Sequence, residues 1–154
     1  MGHPLPHRRG FTLIELLVVL VIMSVALAVV MPRVQTARAA TSVRSARQEI
    51  VSSLTTAKAA SMRRGRPATF HIGADNISVT VEQDGAQVPL GGQRSLDSEL
   101  HVGLTSTDST ITFDARGFAK GLTADAILVV SLDDASDTVC VAPMGAIRSR
   151  GCNP

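Results

Sequence analysis

The chain has 154 residues, 45% of them hydrophobic, and a formal net charge of +2. This length gives room for one modest domain, and the absence of Trp and Tyr argues against binding of single-stranded nucleic acid by base stacking. Charge is unevenly distributed, because residues 33–66 contain eight basic and one acidic residue, whereas residues 67–154 contain five basic and eleven acidic residues. The asymmetry favours packing of the acidic part on the basic part between subunits, or a solvated helix face.

An apolar run follows two arginines near the N-terminus. Residues 11–31 would form about 32 Å of α-helix, which is enough to cross a bilayer core of roughly 30 Å. Glu15 is the one ionisable residue in this run. A carboxylate in an apolar helix either lies hydrated at headgroup depth or has a cationic partner. Cleavage after Gly10 would create such a partner, the new α-amino group of Phe11.

The segment from Gly10 to Glu15 reads GFTLIE and resembles the N-terminal signal of the prepilin-type proteins of type IV pili and type II secretion. The resemblance implies that a prepilin peptidase removes residues 1–10 as a basic leader, cuts after Gly10 and N-methylates Phe11. It also implies that Glu15 pairs with the N-terminal amine of a neighbouring subunit during filament assembly. Residues 11–31 would then be the transmembrane and assembly helix.

A conventional secretory signal peptide and an uncleaved anchor are the alternatives for this segment. A signal peptide has an apolar core of about 7–15 residues before its cleavage site. Here the run follows the glycine and is longer, although Ala26, Leu27 and Ala28 imitate a cleavage box. A membrane-anchored domain unrelated to filaments would leave Gly10 and Glu15 unexplained together.

The orientation in the membrane is inferred from the cysteines. More arginines follow the apolar run than precede it, so the positive-inside rule alone does not place the C-terminal part outside. Cys140 and Cys152 are an even, closely spaced pair and predict a disulfide in an oxidising compartment, the alternative being two unrelated thiols. We give the cysteines more weight and expect a single-pass inner-membrane protein with its C-terminal head in the periplasm.

Residues 32–66 are predicted to continue as a periplasmic amphipathic helix. Apolar and small residues recur at helical steps and predict the face on which the head packs: Val43, Ile50, Leu54, Ala57 and Ser61. Pro32 lacks an N–H and predicts a kink or a melted turn. Gly65 and Pro67 predict the end of the helix.

Residues 67–154 change to an alternating pattern and are predicted to form an antiparallel β head, which makes the fold α+β. Strands are predicted at residues 68–72, 77–83, 100–104, 110–113, 127–132, 138–142 and 146–149. Residues 84–99 contain Gly91 and Gly92 and are predicted to be an irregular loop.

Residues 110–113, the turn at Gly117 and residues 139–145 are similar to the second half of the GspH/FimT group of minor pseudopilins and minor pilins. The GspH branch serves type II secretion. The FimT branch serves type IV pili, where some members bind DNA for transformation through a Gly-Arg-x-Arg motif. In this chain Gly145 is followed by Ala and Ile, and only Arg148 and Arg150 are basic. These two arginines are a candidate contact with DNA or a partner, or a solvated strand face.

The resemblance implies a non-enzymatic subunit of a hetero-oligomeric filament, whose partners are other pseudopilins or pilins and the prepilin peptidase and methyltransferase. The residues agree, since His71 and His101 lack a metal-ligand pattern and no nucleophile elbow or phosphate loop is present. No catalytic residue, cofactor or metal is predicted. Asp133, Asp134 and Asp137 have the oxygen ligands for Ca²⁺, but a polar hairpin turn is the preferred interpretation.

Overall fold

The computed structural model describes residues 11–74, 76–149 and 152. The chain divides into two compact units, Met1–Thr36 and Ala37–Pro154. One helix, α1 (Leu13–Arg64), supplies residues to both units. In the first unit every described side chain is exposed, and in the second the helix packs on an antiparallel β head. The predicted α+β fold is therefore confirmed.

Helix α1 ends where the sequence predicts. Gly65 takes a left-handed conformation with a φ of 62°, and the N–H of Arg66 donates to the carbonyl of Ser61 at 3.3 Å. This is the Schellman pattern, for which glycine has no Cβ penalty. The helix also continues through Pro32, so the alternative of a melted turn is wrong, because proline removes one backbone donor and leaves the adjacent turns intact. A kink at Pro32 stays a prediction.

The described residues of the second unit form ten strands and a short helix in addition to α1. They are β1 (Ala68–Ile72), β2 (Asn76–Gln83), β3 (Ala86–Pro89), β4 (Arg94–Ser95), α2 (Leu96–Leu100), β5 (Gly103–Ser106), β6 (Thr110–Phe113), β7 (Ala119–Lys120), β8 (Ala126–Leu132), β9 (Ala135–Val141) and β10 (Ile147–Arg148).

The strands form two antiparallel sheets. The first sheet has the order β3-β2-β1-β6-β7, with β4 also paired to β2, and the second has the order β10-β9-β8-β5. In the first sheet Phe70 of β1 lies opposite Val79 on one side and Ile111 on the other. In the second, β8 and β9 form a hairpin in which Leu132 pairs with Ala135. All of these pairings are antiparallel, and β1–β6 and β5–β8 join strands that are not consecutive in the chain.

Helix α1 and both sheets share one hydrophobic core. All five residues of the predicted stripe, from Val43 to Ser61, are buried. The four apolar residues of the stripe belong to one core with Phe70 and Ile111 of the first sheet and Leu128 of the second. Ser61 is instead satisfied within the helix, because its hydroxyl donates to the carbonyl of Lys58 at 2.8 Å. Each fully buried large apolar side chain stabilises the fold by about 1.5–3 kcal/mol. The prediction that this stripe receives the head is confirmed.

The region around residues 84–104 differs from prediction. It is not an irregular loop, because β3, β4 and α2 occupy most of it. Ser95 caps α2 by accepting the N–H of Ser98 at 3.3 Å, and His101 ends the helix in a left-handed conformation. Leu100 therefore ends a helix rather than beginning a strand, and β5 starts only at Gly103. The two-residue strand β7 was also not predicted.

Candidate functional site

The N-terminus of helix α1 carries a capping box. Thr12 precedes the first helical residue, and its hydroxyl accepts the N–H of Glu15 at 3.3 Å. In return, a carboxylate oxygen of Glu15 lies 3.5 Å from the N–H of Thr12 and accepts it. This reciprocal arrangement satisfies two backbone donors that the first turn of a helix leaves unpaired. The single carboxylate of the apolar run thus has a partner in its own chain, which the sequence analysis did not predict.

The apolar run around Glu15 is fully exposed. An 18-residue window of the helix has a mean hydropathy of 3.0 with none of it buried, so the helix is long and apolar enough to cross a membrane. Ser24, a polar residue within the run, donates its hydroxyl to the carbonyl of Leu20 at 2.7 Å and needs no external partner. Phe11 lies just before the helix with 79% of its surface exposed. Gly10, the predicted cleavage position, lies outside the described residues.

The predicted disulfide between Cys140 and Cys152 is present. Cys140 lies on β9 and is fully buried, and the two Cα atoms are 5.6 Å apart, a normal separation for a disulfide. The bond fixes the segment after β9 to the second sheet.

Arg148 has an acidic partner that the sequence analysis missed. A guanidinium nitrogen of Arg148 lies 2.7 Å from a carboxylate oxygen of Asp125, whose side chain is only 9% exposed. The two residues are 23 positions apart and no spacing pattern connects them. Arg150 lies outside the described residues, so its predicted role stays a prediction. Arg148 is therefore a partly exposed strand residue that forms an ion pair with Asp125.

The three aspartates considered for calcium do not act as a group. Asp133 and Asp134 form the two-residue turn between β8 and β9, with Asp133 at a φ of 52°. Asp137 faces the helix instead, where a carboxylate oxygen lies 3.1 Å from Nε of Arg47, within ion-pair distance. The preferred interpretation as a polar hairpin turn is confirmed for the first two residues. Among the described residues there is no group of three or more His, Cys, Asp or Glu that could hold a metal ion.

The two histidines of the head form hydrogen bonds with neighbouring residues of the fold. His71 lies on β1, and its Nε2 is 2.8 Å from the hydroxyl of Thr80 on the neighbouring strand. His101 follows α2, where its N–H donates to the carbonyl of Asp97 at 2.8 Å.

Comparison with known proteins gives two family matches and one group of similar structures. The model described as "Prokaryotic N-terminal methylation motif" matches residues 5–31, and the model "Type II transport protein GspH" matches residues 46–145. No curated protein sequence matches the chain significantly.

The similar structures are two crystal forms of the type IV minor pilin FimU of Pseudomonas aeruginosa strain PAO1. The first is 15% identical, covers 71% of this chain and 88% of FimU, and has a TM-score of 0.60. The second is also 15% identical, covers 70% of this chain and 92% of FimU, and has a TM-score of 0.58. At this identity the likeness establishes the fold, a long helix on an antiparallel head. Since the GspH model alone covers well over half of the sequence, the chain belongs to the GspH family of pilin-like proteins.

Proposed function

We propose that this protein is a minor pseudopilin of a type II secretion system. It inserts into the inner membrane by the apolar half of α1 and holds its head in the periplasm. The prepilin peptidase cleaves it after Gly10 and methylates Phe11, and the mature subunit joins a periplasmic pseudopilus with other pseudopilins. The role is structural, in keeping with a family and fold of pilin-like subunits rather than enzymes.

The observation that carries this proposal is the presence of two family signatures on one continuous helix-and-head chain. The methylation motif ends at residue 31, and the GspH match begins at residue 46, where the packed half of the helix enters the head. A secreted protein or a simple anchored domain needs an apolar segment but has no use for a glycine and a carboxylate at these positions. The disulfide supports the periplasmic location.

Glu15 is the proposed assembly residue, and its capping bond explains how it is tolerated beforehand. In the isolated chain the carboxylate accepts the N–H of Thr12, which reduces the cost of placing it beside apolar surface. After cleavage, the amine of a neighbouring subunit's first residue is a stronger, charged donor. Assembly then exchanges a hydrogen bond from an uncharged backbone N–H for an ion pair in a low-dielectric environment.

A type IV pilus is the second candidate system, and the fold likeness to the minor pilin FimU favours it. We do not extend that candidate to capture of DNA. Nucleic-acid affinity depends on several cations free to contact phosphates, and Arg148 already has Asp125 at 2.7 Å.

Replacement of Gly10 tests the processing step. Gly10→Ala should still be cleaved, whereas Gly10→Val should leave the precursor uncut, because the peptidase site must accept a small residue there. The measurement is gel mobility and N-terminal sequencing of the protein extracted from membranes. A wild-type mature chain that begins at Met1, or after Ala28, would remove the prepilin interpretation.

Deletion of the gene separates the two candidate systems. Loss of protein export with normal pili and DNA uptake would support the pseudopilus, whereas the opposite pattern would favour the pilus. A complemented strain at normal membrane levels is the control.

A further inference from the structure

Two exposed arginines follow the apolar half of α1 without a carboxylate partner. Arg33 and Arg38 are both exposed, and neither takes part in an ion pair among the described residues. The sequence has no Asp or Glu in residues 16–48, so no acidic side chain of this stretch of the helix offsets their charge. Arg47, further along the helix, is by contrast 3.1 Å from a carboxylate oxygen of Asp137.

The distance from the end of the apolar run places each arginine relative to the bilayer. Measured along an α-helix, Arg33 lies about 3 Å beyond Met31, and Arg38 lies about 10 Å beyond it. The headgroup layer on each side of a bilayer is about 5–8 Å thick. When residues 11–31 span the hydrocarbon core, Arg33 therefore lies among the lipid phosphates and Arg38 lies at the outer edge of the headgroup layer.

The charge on the two sides of the membrane makes these arginines unusual. Four arginines follow the apolar run within residues 33–47, whereas the leader before it has two. Cationic residues normally concentrate on the cytoplasmic side of a membrane-spanning helix. Removal of the leader, as in the proposed function, takes away both cytoplasmic arginines and leaves Arg33 and Arg38 in place. An anionic ligand on their own side of the bilayer would offset this unfavourable distribution.

We propose that Arg33 and Arg38 bind the phosphodiester groups of anionic phospholipids in the periplasmic leaflet, each arginine with its own headgroup. The choice of leaflet rests on the proposed function, which sets the orientation of the helix. A guanidinium binds two phosphate oxygens by parallel hydrogen bonds. Its attraction to an anionic membrane surface falls off within a Debye length of about 8 Å. Arg33, which is nearer the phosphates, therefore contributes more than Arg38.

The depth of Arg33 favours lipid over an acidic protein as the partner. Before assembly, a side chain about 3 Å from the hydrocarbon core is surrounded by headgroups on the open sides of the helix. Binding to these headgroups holds the helix at a fixed depth in the bilayer. The contacts must break when the subunit leaves the membrane for a filament, so they oppose premature extraction.

The test measures the binding of defined phospholipids to the full-length protein. Wild type and variants are purified from membranes in an uncharged detergent and titrated with phosphatidylglycerol or phosphatidylcholine, and bound lipid is counted by native mass spectrometry. Both lipids have a phosphate, but only phosphatidylglycerol has a net negative charge, so wild type should prefer it. Arg33→Gln should lower the affinity for phosphatidylglycerol about fivefold, and Arg38→Gln should lower it less. High salt should reduce the preference of wild type.

Arg63→Gln is the matched control, because Arg63 is an exposed arginine of the same helix that lies about 48 Å beyond Met31. It should bind phosphatidylglycerol as wild type does. Arg33→Lys keeps the charge and should retain most of the affinity. Equal binding of the two lipids by wild type would overturn the proposal, as would equal losses in Arg33→Gln, Arg33→Lys and Arg63→Gln. So would an Arg33→Gln variant that keeps its lipid affinity and instead loses a co-purifying acidic protein.

The proposed function is read separately, by N-terminal sequencing of the same preparations. If the mature chain begins at Phe11 but lipid binding does not depend on Arg33, the lipid proposal fails alone. If the protein is absent from the membrane fraction, or is not cleaved after Gly10, the proposed function fails.

Discussion

The two halves of helix α1 use apolar residues in different ways. In residues 13–36 apolar side chains lie on all sides of the helix, and every one is exposed. In residues 37–64 the buried residues follow one face: Ala39, Val43, Ala46, Ile50, Leu54, Ala57, Ala60 and Ser61. Hydrophobicity alone would rank the first half as the better core. It is the period of the pattern that indicates which stretch packs within its own chain.

The two halves therefore differ in burial: the second half packs in the core of the head, and the first half is exposed. Residues 37–64 find their apolar contacts in the two sheets. Residues 13–36 are exposed throughout and belong to a helix long and apolar enough to cross a membrane, so they are suited to lipid or to other subunits.

Substituting one leucine in each half gives the largest expected contrast. Leu54→Ala should lower the free energy of unfolding of the head by about 2–5 kcal/mol, because it leaves a cavity in the core. Leu20→Ala removes the same atoms from an exposed position and should leave that free energy unchanged. The measurement is denaturant unfolding of the detergent-solubilised chain by far-UV circular dichroism. Equal effects of the two variants would show that the halves are not energetically distinct.

The disulfide allows two tests, one of the stability of the head and one of its compartment. The double variant Cys140→Ser, Cys152→Ser should lose about 3 kcal/mol of stability, since the crosslink restrains the unfolded chain. In wild-type protein, thiol labelling after denaturation should require a reductant. Free thiols in protein taken from an intact envelope would contradict the periplasmic location.

The two halves each contain one acidic residue, which allows a matched pair of variants. Glu15→Ala should leave membrane level, cleavage and head stability unchanged but reduce crosslinking to other subunits and export or DNA uptake. Glu49→Ala loses an ion pair to Arg94 at 3.3 Å, should cost less than about 1 kcal/mol and should not affect assembly. If crosslinking and both activities are unaffected by Glu15→Ala, that residue has no assembly role and is simply hydrated or capped.

A smaller, pH-dependent effect is expected in the head. The pKa of the Asp114 carboxyl lies below its usual value of 3.8, first because the N–H of Phe118 donates to it, and also because Arg116 donates to it. Because the pKa is lowered in the folded state, the ionised Asp114 carboxylate stabilises the fold above pH 3.8. This stabilisation is lost as the pH falls through the folded-state pKa.

The measurement is the melting temperature of wild type and Asp114→Asn on either side of that pH. Asp114→Asn should remove this part of the acid dependence while keeping an oxygen that accepts the same N–H groups. An unchanged acid dependence would mean that the turn does not contribute.

Much of the fold could be predicted from the sequence because its signals are local. The stripe from Val43 to Ser61 follows the helical period, and β6 matches the predicted strand at residues 110–113 because Thr and Ile alternate there. Strand β3 gave no such signal, since all four of its residues are exposed at a sheet edge. A two-residue turn at Asp84 and Gly85 places it beside β2, and edge pairing of this kind leaves little trace in hydrophobicity.

The candidate site shows the same division. The signal around Gly10, Phe11 and Glu15 is contiguous in sequence and predicts the prepilin-type segment. The spacing of Thr12 and Glu15 also fits a capping box, a local signal that our prediction did not use. Contacts between distant residues were not predictable. Asp125 meets Arg148 across 23 positions, and Arg47 meets Asp137 across 90 positions, because the tertiary fold and not the spacing brings them together.

The disulfide affects how the sequence of this protein can evolve. Strand β10 has only two residues, too few for its backbone hydrogen bonds to hold the segment after β9 in place. The covalent bond between Cys140 and Cys152 does so instead, at the base of the loop that contains Arg148. Exposed residues between the cysteines, such as Met144 and Arg148, can therefore be replaced without detaching the segment from the head. Within the GspH family, this gives the chain a tethered segment in which new binding specificities can arise while the core stays intact.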